Sequence, residues 1–275
     1  NGVIYYTDPK TRKKETKKIT IEETLAKKIY ENDNLNSFED LDKNKIDTYL
    51  IFPYDSNAKL IPLDELKTNF PLTYEYLKWM DVMSTNQRRA NPDEFYGYTR
   101  NQNLLLIDKA KIFVPMTAKR VTASFSEKGV YGDNSNINAI VDLKENNRNI
   151  LKALTVVLNS EIFSLLTIVV SGEARGGHYK MNKQFLGEVP IPALSDKDVN
   201  YLSLLYNNIL MEIGNYKNAY GDRKKIVLNE LKILQNKQNL YINNIYALSE
   251  DEMAFLKQDV DIGTLDWLAE MDWND

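Results

Sequence analysis

Between Ser171 and Leu194 the chain runs SGEARGGHYKMNKQFLGEVPIPAL, and this stretch concentrates side chains suited to holding an anion. Arg175, Lys180 and Lys183 bring positive charge, while Tyr179 and Gln184 bring neutral hydrogen-bonding groups. These types bond phosphate oxygens and base edges. Gly176-Gly177 lets the backbone take a positive φ or approach another surface closely. Pro190-Ile191-Pro192 cannot continue a helix or a central strand, so it closes the segment. The same residues also fit a plain surface turn between two elements. A second group lies upstream: Arg88-Arg89, then FYGYTRNQNL from Phe95 to Leu104. Aromatics interleaved with Arg100 and Gln102 suit an anionic ligand with stackable faces; a tyrosine-rich edge strand is the other reading.

Other chemistry is missing. There is no Gly-rich phosphate loop, nucleophile elbow or metal-binding spacing of histidines and acids. With no cysteine there is neither a disulfide nor a thiolate site, which fits a reducing cytoplasm. A histidine triad would have to use His178, the single histidine, which suits a loop or packing role better. The longest apolar run, 162–170, is about half of a membrane span. The opening Asn1-Gly2 without methionine is expected of the interior of a longer protein. The formal charge of −4 is uneven: from Glu250 onward nine acids face one base, leaving residues 1–249 net positive. An acidic total therefore leaves room for a basic face.

The elements that must position these groups follow from periodicity. Residues 1–45 are polar and read as an N-terminal extension. Its run Arg12, Lys13, Lys14, Lys17 and Lys18 suits a solvated face, with phosphate contact as the alternative. Ile19, Ile21, Leu25, Ala26 and Ile29 give a short helical stripe. Tyr49 to Tyr54 forms an edge strand cut by Pro53, with Lys59 to Pro62 as its hairpin partner. A helix starts at 62–66, is broken at Asn69-Phe70-Pro71 and resumes over 72–83. Strands are expected at Lys111 to Pro115, Val121 to Phe125 and Ile137 to Leu143. Ile150 to Val170 is apolar at steps of three and four, a central helix broken at Asn159-Ser160. Past Pro192, two stripes (Val199 to Tyr216 and Val227 to Ile245) flank a Gly-Asp turn and give an antiparallel helical hairpin. Ser249 and Glu252 form a capping box for a last short helix, and Leu265, Trp267, Leu268 and Trp273 are the side chains able to dock the acidic tail. Strands followed by helices make the fold class α+β. The expected divisions are 1–45, 46–194, the hairpin arm 195–248, and the short helix with acidic tail 249–275.

One ordered series of motifs carries a resemblance: Tyr49-Leu50-Ile51-Phe52-Pro53-Tyr54, Lys59-Leu60-Ile61-Pro62, Glu65-Leu66, Phe70-Pro71, Phe95 to Gln102, Lys111 to Pro115, Leu158-Asn159-Ser160 and Gly176-Gly177-His178-Tyr179-Lys180 through Pro190-Ile191-Pro192. It resembles the TaqI-type C-terminal specificity domain, the target recognition module of adenine-specific DNA methyltransferases and fused restriction–modification enzymes. The resemblance covers roughly 46–194, and the segment 245–252 resembles the close of such proteins. It implies a strand-rich target recognition domain with packed helices, set across double-stranded DNA from a methyltransferase domain that uses S-adenosylmethionine. That domain and its cofactor site are not in this chain, where Asn91-Pro92-Asp93-Glu94-Phe95 departs from the Asn-Pro-Pro-aromatic motif by one lost proline and one extra residue.

The resulting expectation is a DNA-sequence-reading module with no catalytic residue, cofactor or metal of its own. Its parent would be an adenine methyltransferase, with or without endonuclease activity. Arg175, Lys180, Lys183, Lys119 and Arg120 are expected on phosphates, and Arg100, Gln102, Tyr98 and Tyr179 on bases or sugars. Gly176 and Gly177 would allow close approach, and Arg88 and Arg89 complete the DNA-facing set. The alternatives are a separate specificity subunit docking a methyltransferase chain in trans through the hairpin, and a protein-interaction module. No membrane partner is expected, and the location is cytoplasmic.

Overall fold

The structure is a computed structural model that describes residues 1–30, 35–42, 48–83, 92–99, 101–127, 131–132, 136–174, 176–258 and 260–269. The chain divides into two compact units, Asn1–Ile29 with Ile46–Asp108, and Tyr30–Lys45 with Lys109–Asp275.

The first unit opens on an antiparallel ribbon, β1 (Gly2–Thr7) and β2 (Lys14–Ile19), in register from Gly2↔Ile19 to Thr7↔Lys14. The helical stripe expected around Ile19 to Ile29 is no α-helix but a 3-10 turn, Glu23–Leu25, followed by a strand: β3 (Ala26–Tyr30) pairs with β4 (Tyr49–Ile51). Its apolar spacing is compatible with a helix, but the strand partner lies more than twenty residues downstream, where local pattern cannot reveal it. Two helices follow, α1 (Leu63–Asn69) and α2 (Pro71–Met83). The small core is Leu25, Ile61, Leu66 and Tyr96, flanked by Phe70, Tyr74 and Leu77. Residues 92–99 form a short 3-10 turn and bends, not the edge strand their tyrosines suggested.

In the second unit, β5 (Lys111–Pro115) is the central strand of a three-stranded sheet. It is buried along its whole length and lies between β7 (Ser124–Ser126) and β9 (Ile137–Ile140). Two short strands, β6 (Thr117–Ala118) and β8 (Tyr131–Gly132), complete this stretch. Next come α3 (Arg148–Leu158) and α4 (Glu161–Ser171), which meet at 71°. The break is chemical: Ser160 caps α4 by accepting from the Phe163 amide, and Asn159 turns its side chain into the interior. Then follow β10 (Tyr179–Lys180), the one-turn α5 (Lys183–Leu186), and the hairpin α6 (Asp196–Lys217) and α7 (Asp222–Tyr246). The expected capping box of Ser249 with Glu252 is formed and opens α8 (Glu250–Lys257), and a second one, Ser195 with Asp198, opens α6. Leu202, Tyr206, Ile209, Val227, Leu231 and Ile242 of the hairpin enter one core with α3 and the sheet.

Two segments that composition marks as peripheral belong to this core. Leu35, Phe38 and Leu41, from the polar first 45 residues, are buried. Near the C-terminus Trp267 is 1% exposed, with its ring 5.0 Å from Phe38 and its indole N–H on Gln238 Oε1. Among the described residues no single helix is long and apolar enough to cross a membrane.

Candidate nucleic-acid interface

Strands β6 and β10 pair antiparallel, Tyr179 with Ala118 and Lys180 with Thr117. The two-residue period of a strand sends neighbours to opposite faces. Tyr179 and Ala118 turn inward against the core. Thr117, Lys119 and Lys180 are exposed on the other side. Lys180 stands opposite Thr117 and Lys119 directly follows β6, so both are exposed cations of this ribbon. Lys183 and Gln184, at the start of α5, are exposed three and four residues further on.

The glycine pair caps this ribbon. Gly176 and Gly177 have φ of +62° and +71°, with open space where a Cβ would stand. Here glycine is required by the backbone rather than by crowding. The loop is ordered by the Ala174 N–H on the His178 carbonyl (2.7 Å), by the Gly177 N–H on the Glu173 carboxylate (3.0 Å), and by His178 Nδ1 against the Gly176 carbonyl. Its base is tied down as well. The Met181 amide bonds the Met116 carbonyl, Asn138 Nδ2 donates to the Met181 carbonyl, and the Tyr246 hydroxyl donates to the Pro190 carbonyl.

Arg120 is a correction. Expected on phosphate, it is 1% exposed, and its Nη1 donates to Ser37 Oγ (2.9 Å) and to the Val121 carbonyl (3.0 Å). Next to Lys119 in sequence, it takes the opposite, inward direction and serves as an internal strut. Tyr179 likewise spends its ring on packing. In the first unit Tyr98 is half-buried in an aromatic cluster, its ring 5.0 Å from Tyr54 and 6.2 Å from Phe52. Its hydroxyl donates to the Ile51 carbonyl, its amide donates to the Tyr54 hydroxyl, and burial pushes the phenol pKa up. That hydroxyl is already engaged within the fold. Gln102 is exposed. Arg88, Arg89, Arg100 and Arg175 lie outside the described residues, as does Asn91. Sequence reasoning did not find Ser37 as the partner of Arg120, since 83 residues separate them.

The second unit thus presents a glycine-tipped ribbon with exposed cations, built from segments that carry the later part of the motif series. The family of TaqI-like C-terminal specificity domains matches this chain over residues 39–191, more than half its length. The chain belongs to that family. Among individual proteins, the Type II restriction enzyme and methyltransferase RM.Eco57I of Escherichia coli is 20% identical over 254 residues, covering 84% of this chain and 25% of that protein. The type IIG restriction endonuclease BpuSI has a solved structure that aligns with a TM-score of 0.43 at 12% identity, covering 79% of this chain and 26% of that one. The chain thus spans about a quarter of the length of the relatives it matches.

Proposed function

We propose that this chain is the sequence-reading module of a restriction–modification enzyme and that its partner is double-stranded DNA. The observation that carries the reading is the outward cationic face of the β6–β10 ribbon with its glycine tip, inside the segment that matches a specificity domain. Cations on a ribbon edge neutralise phosphates and fix register, and neighbouring side chains then read base edges. Lys119, Lys180 and Lys183 take the phosphate role, and Gln102, which is exposed, takes a base or sugar contact. The relative's name, a restriction enzyme and methyltransferase, supports a methyltransferase domain in cis. We assign to that domain an adenine target, S-adenosylmethionine and base flipping. Binding of a fluorescent duplex over a series of salt concentrations tests the reading. The Lys119→Gln/Lys180→Gln pair should make the slope of log K against log salt shallower by about 1.8, since each phosphate contributes about 0.9. An unchanged slope and affinity refute it.

A specific observation favours a second reading, docking of a separate methyltransferase chain through the hairpin. Ile226, Ile233 and Leu240 are exposed at seven-residue spacing on α7, and Leu204 and Met211 repeat that spacing on α6. A seven-residue apolar stripe is what a partner helix covers. Light scattering of the chain mixed with a candidate methyltransferase, with Ile233→Asp as the control, separates the two.

A further inference from the structure

The β1–β2 ribbon lies outside the matched specificity segment, yet it holds a dense cationic surface. Residues 2–19 carry six cations (Lys10, Arg12, Lys13, Lys14, Lys17 and Lys18) against two carboxylates, in a chain whose total is negative. The register sorts them by face. Ile4 with Lys17 and Tyr6 with Glu15 are cross-strand pairs on the inner face, which packs on α2: the Tyr6 ring stands edge-on to Trp79 at 5.0 Å, and Lys17 Nζ sits 3.9 Å from the Trp79 ring centre. Both carboxylates are engaged locally. Glu15 accepts from the Tyr6 hydroxyl, and Asp8 accepts from the Lys10 and Thr11 amides in the turn. The outer face therefore carries Val3 with Lys18, Tyr5 with Thr16 and Thr7 with Lys14, and has no acid. Tyr5 at its centre is 83% exposed. The Asp8 turn holds Lys10, Arg12 and Lys13 at the tip, closed by the Asp8 amide on the Lys13 carbonyl (2.9 Å). None of the five outward cations has an ion-pair partner among the described residues.

We propose that this ribbon is a second DNA-contacting element, laid with its outer face in the major groove of a duplex. Six residues per strand give a length of about 20 Å, and the major groove, about 12 Å wide, admits a two-stranded ribbon. The cations at the tip and along β2 meet phosphates, and Tyr5 and Val3 meet the groove floor. The inference rests on the reading of the chain as a DNA-recognition module.

The test is duplex binding by the intact chain against salt. Replacing Lys10, Arg12, Lys13, Lys14 and Lys18 together by Gln should weaken binding to every sequence. It should also make the salt slope shallower by about 2.7 if three of them reach phosphates. Tyr5→Ala should weaken binding at constant slope, and Lys17→Gln, on the covered face, should leave the slope alone. Circular dichroism checks that the variants are folded, which their exposure favours. A ribbon variant with the parent slope and affinity overturns the inference. If the Lys119→Gln/Lys180→Gln pair still changes the slope, the proposed function stands without it; if neither set changes it, both fall. Stronger retention on phosphatidylserine vesicles than on duplex also overturns it.

Discussion

Asn159→Ala should unfold the second unit more readily than any single change at its surface. The Asn159 side chain is 1% exposed and uses its whole hydrogen-bonding capacity. Its Oδ1 accepts from the Ala123 amide (2.9 Å) and the Ser37 hydroxyl (2.5 Å), and its Nδ2 donates to the Ala123 carbonyl (2.8 Å) and the Thr155 carbonyl (2.9 Å). The Thr155 carbonyl keeps a second partner, the Asn159 amide. The Ala123 carbonyl likewise keeps the Phe38 amide, so the alanine variant strands the Ala123 N–H in the interior and leaves the Ser37 O–H without its acceptor. Each of these two groups costs about 1–3 kcal/mol, so the expected loss is about 2–6 kcal/mol, a large part of a typical domain's 5–15 kcal/mol. With a urea m-value of about 3 kcal/mol/M, the midpoint should fall by about 1–2 M. Asn159→Asp should be worse at neutral pH, because it keeps the acceptor but buries a charge, and should recover as acid protonates it. Urea titration followed by circular dichroism reads both. A loss below about 1 kcal/mol for Asn159→Ala would refute the reasoning.

Arg120→Lys should lower the urea midpoint while leaving the salt slope of DNA binding unchanged, because a single ammonium cannot replace the guanidinium between Ser37 and Val121. Trp267→Phe should reduce stability by about 1–3 kcal/mol, since it strands Gln238 Oε1; a thermal melt unchanged from the parent would show that the C-terminal segment is not docked. Glu22 lies beside the start of α2: burial alone would raise its pKa, but the Thr73 hydroxyl and the amides of Leu72 and Thr73 outweigh that and hold it low. Its contribution is therefore complete above the ordinary glutamate range and lost as pH falls through the depressed folded value. Glu22→Gln should melt earlier at neutral pH, with the gap closing in acid.

What the sequence revealed, it revealed through local rules. The break at Asn159-Ser160, the Gly221 turn and the Ser249 capping box depend on residues within four positions of one another, and all are present. Lys111–Pro115 was legible because an unbroken β-prone run marks a strand buried on both sides. The failures are non-local. The stretch from Ile19 to Ile29 has helical spacing, but β3 has its strand partner at Tyr49–Ile51. Phe95 to Tyr98 look like strand residues, yet Tyr96 bonds the Ile61 carbonyl and Tyr98 the Ile51 carbonyl, which fixes a turn by contacts 35 and 47 residues away. Lys119 and Arg120 show the same limit at the candidate site. Adjacent cations are indistinguishable by charge, and only the ribbon's face alternation and the distant Ser37 separate a surface contact from a strut.

The motif residues that carry the family resemblance are mostly structural when seen in place. Phe52, Tyr54 and Tyr98 form the aromatic cluster, Asn159 locks the helix break, and Pro190 receives the Tyr246 hydroxyl that anchors the end of the glycine loop to the hairpin. The exposed cations, in contrast, sit on the outward side of short ribbons, where a strand can change its outer residues without disturbing the inner ones. Such an arrangement separates the frame from the exposed surface. The inner face of β6–β10 and the ties at Met181 and Pro190 keep the loop's base fixed, while Gly176 and Gly177 leave its tip free of side chains. Exchanging Lys119 or Lys180 should therefore alter how tightly a duplex is held at little structural expense, whereas exchanging Ala118 or Met181 should damage the frame first.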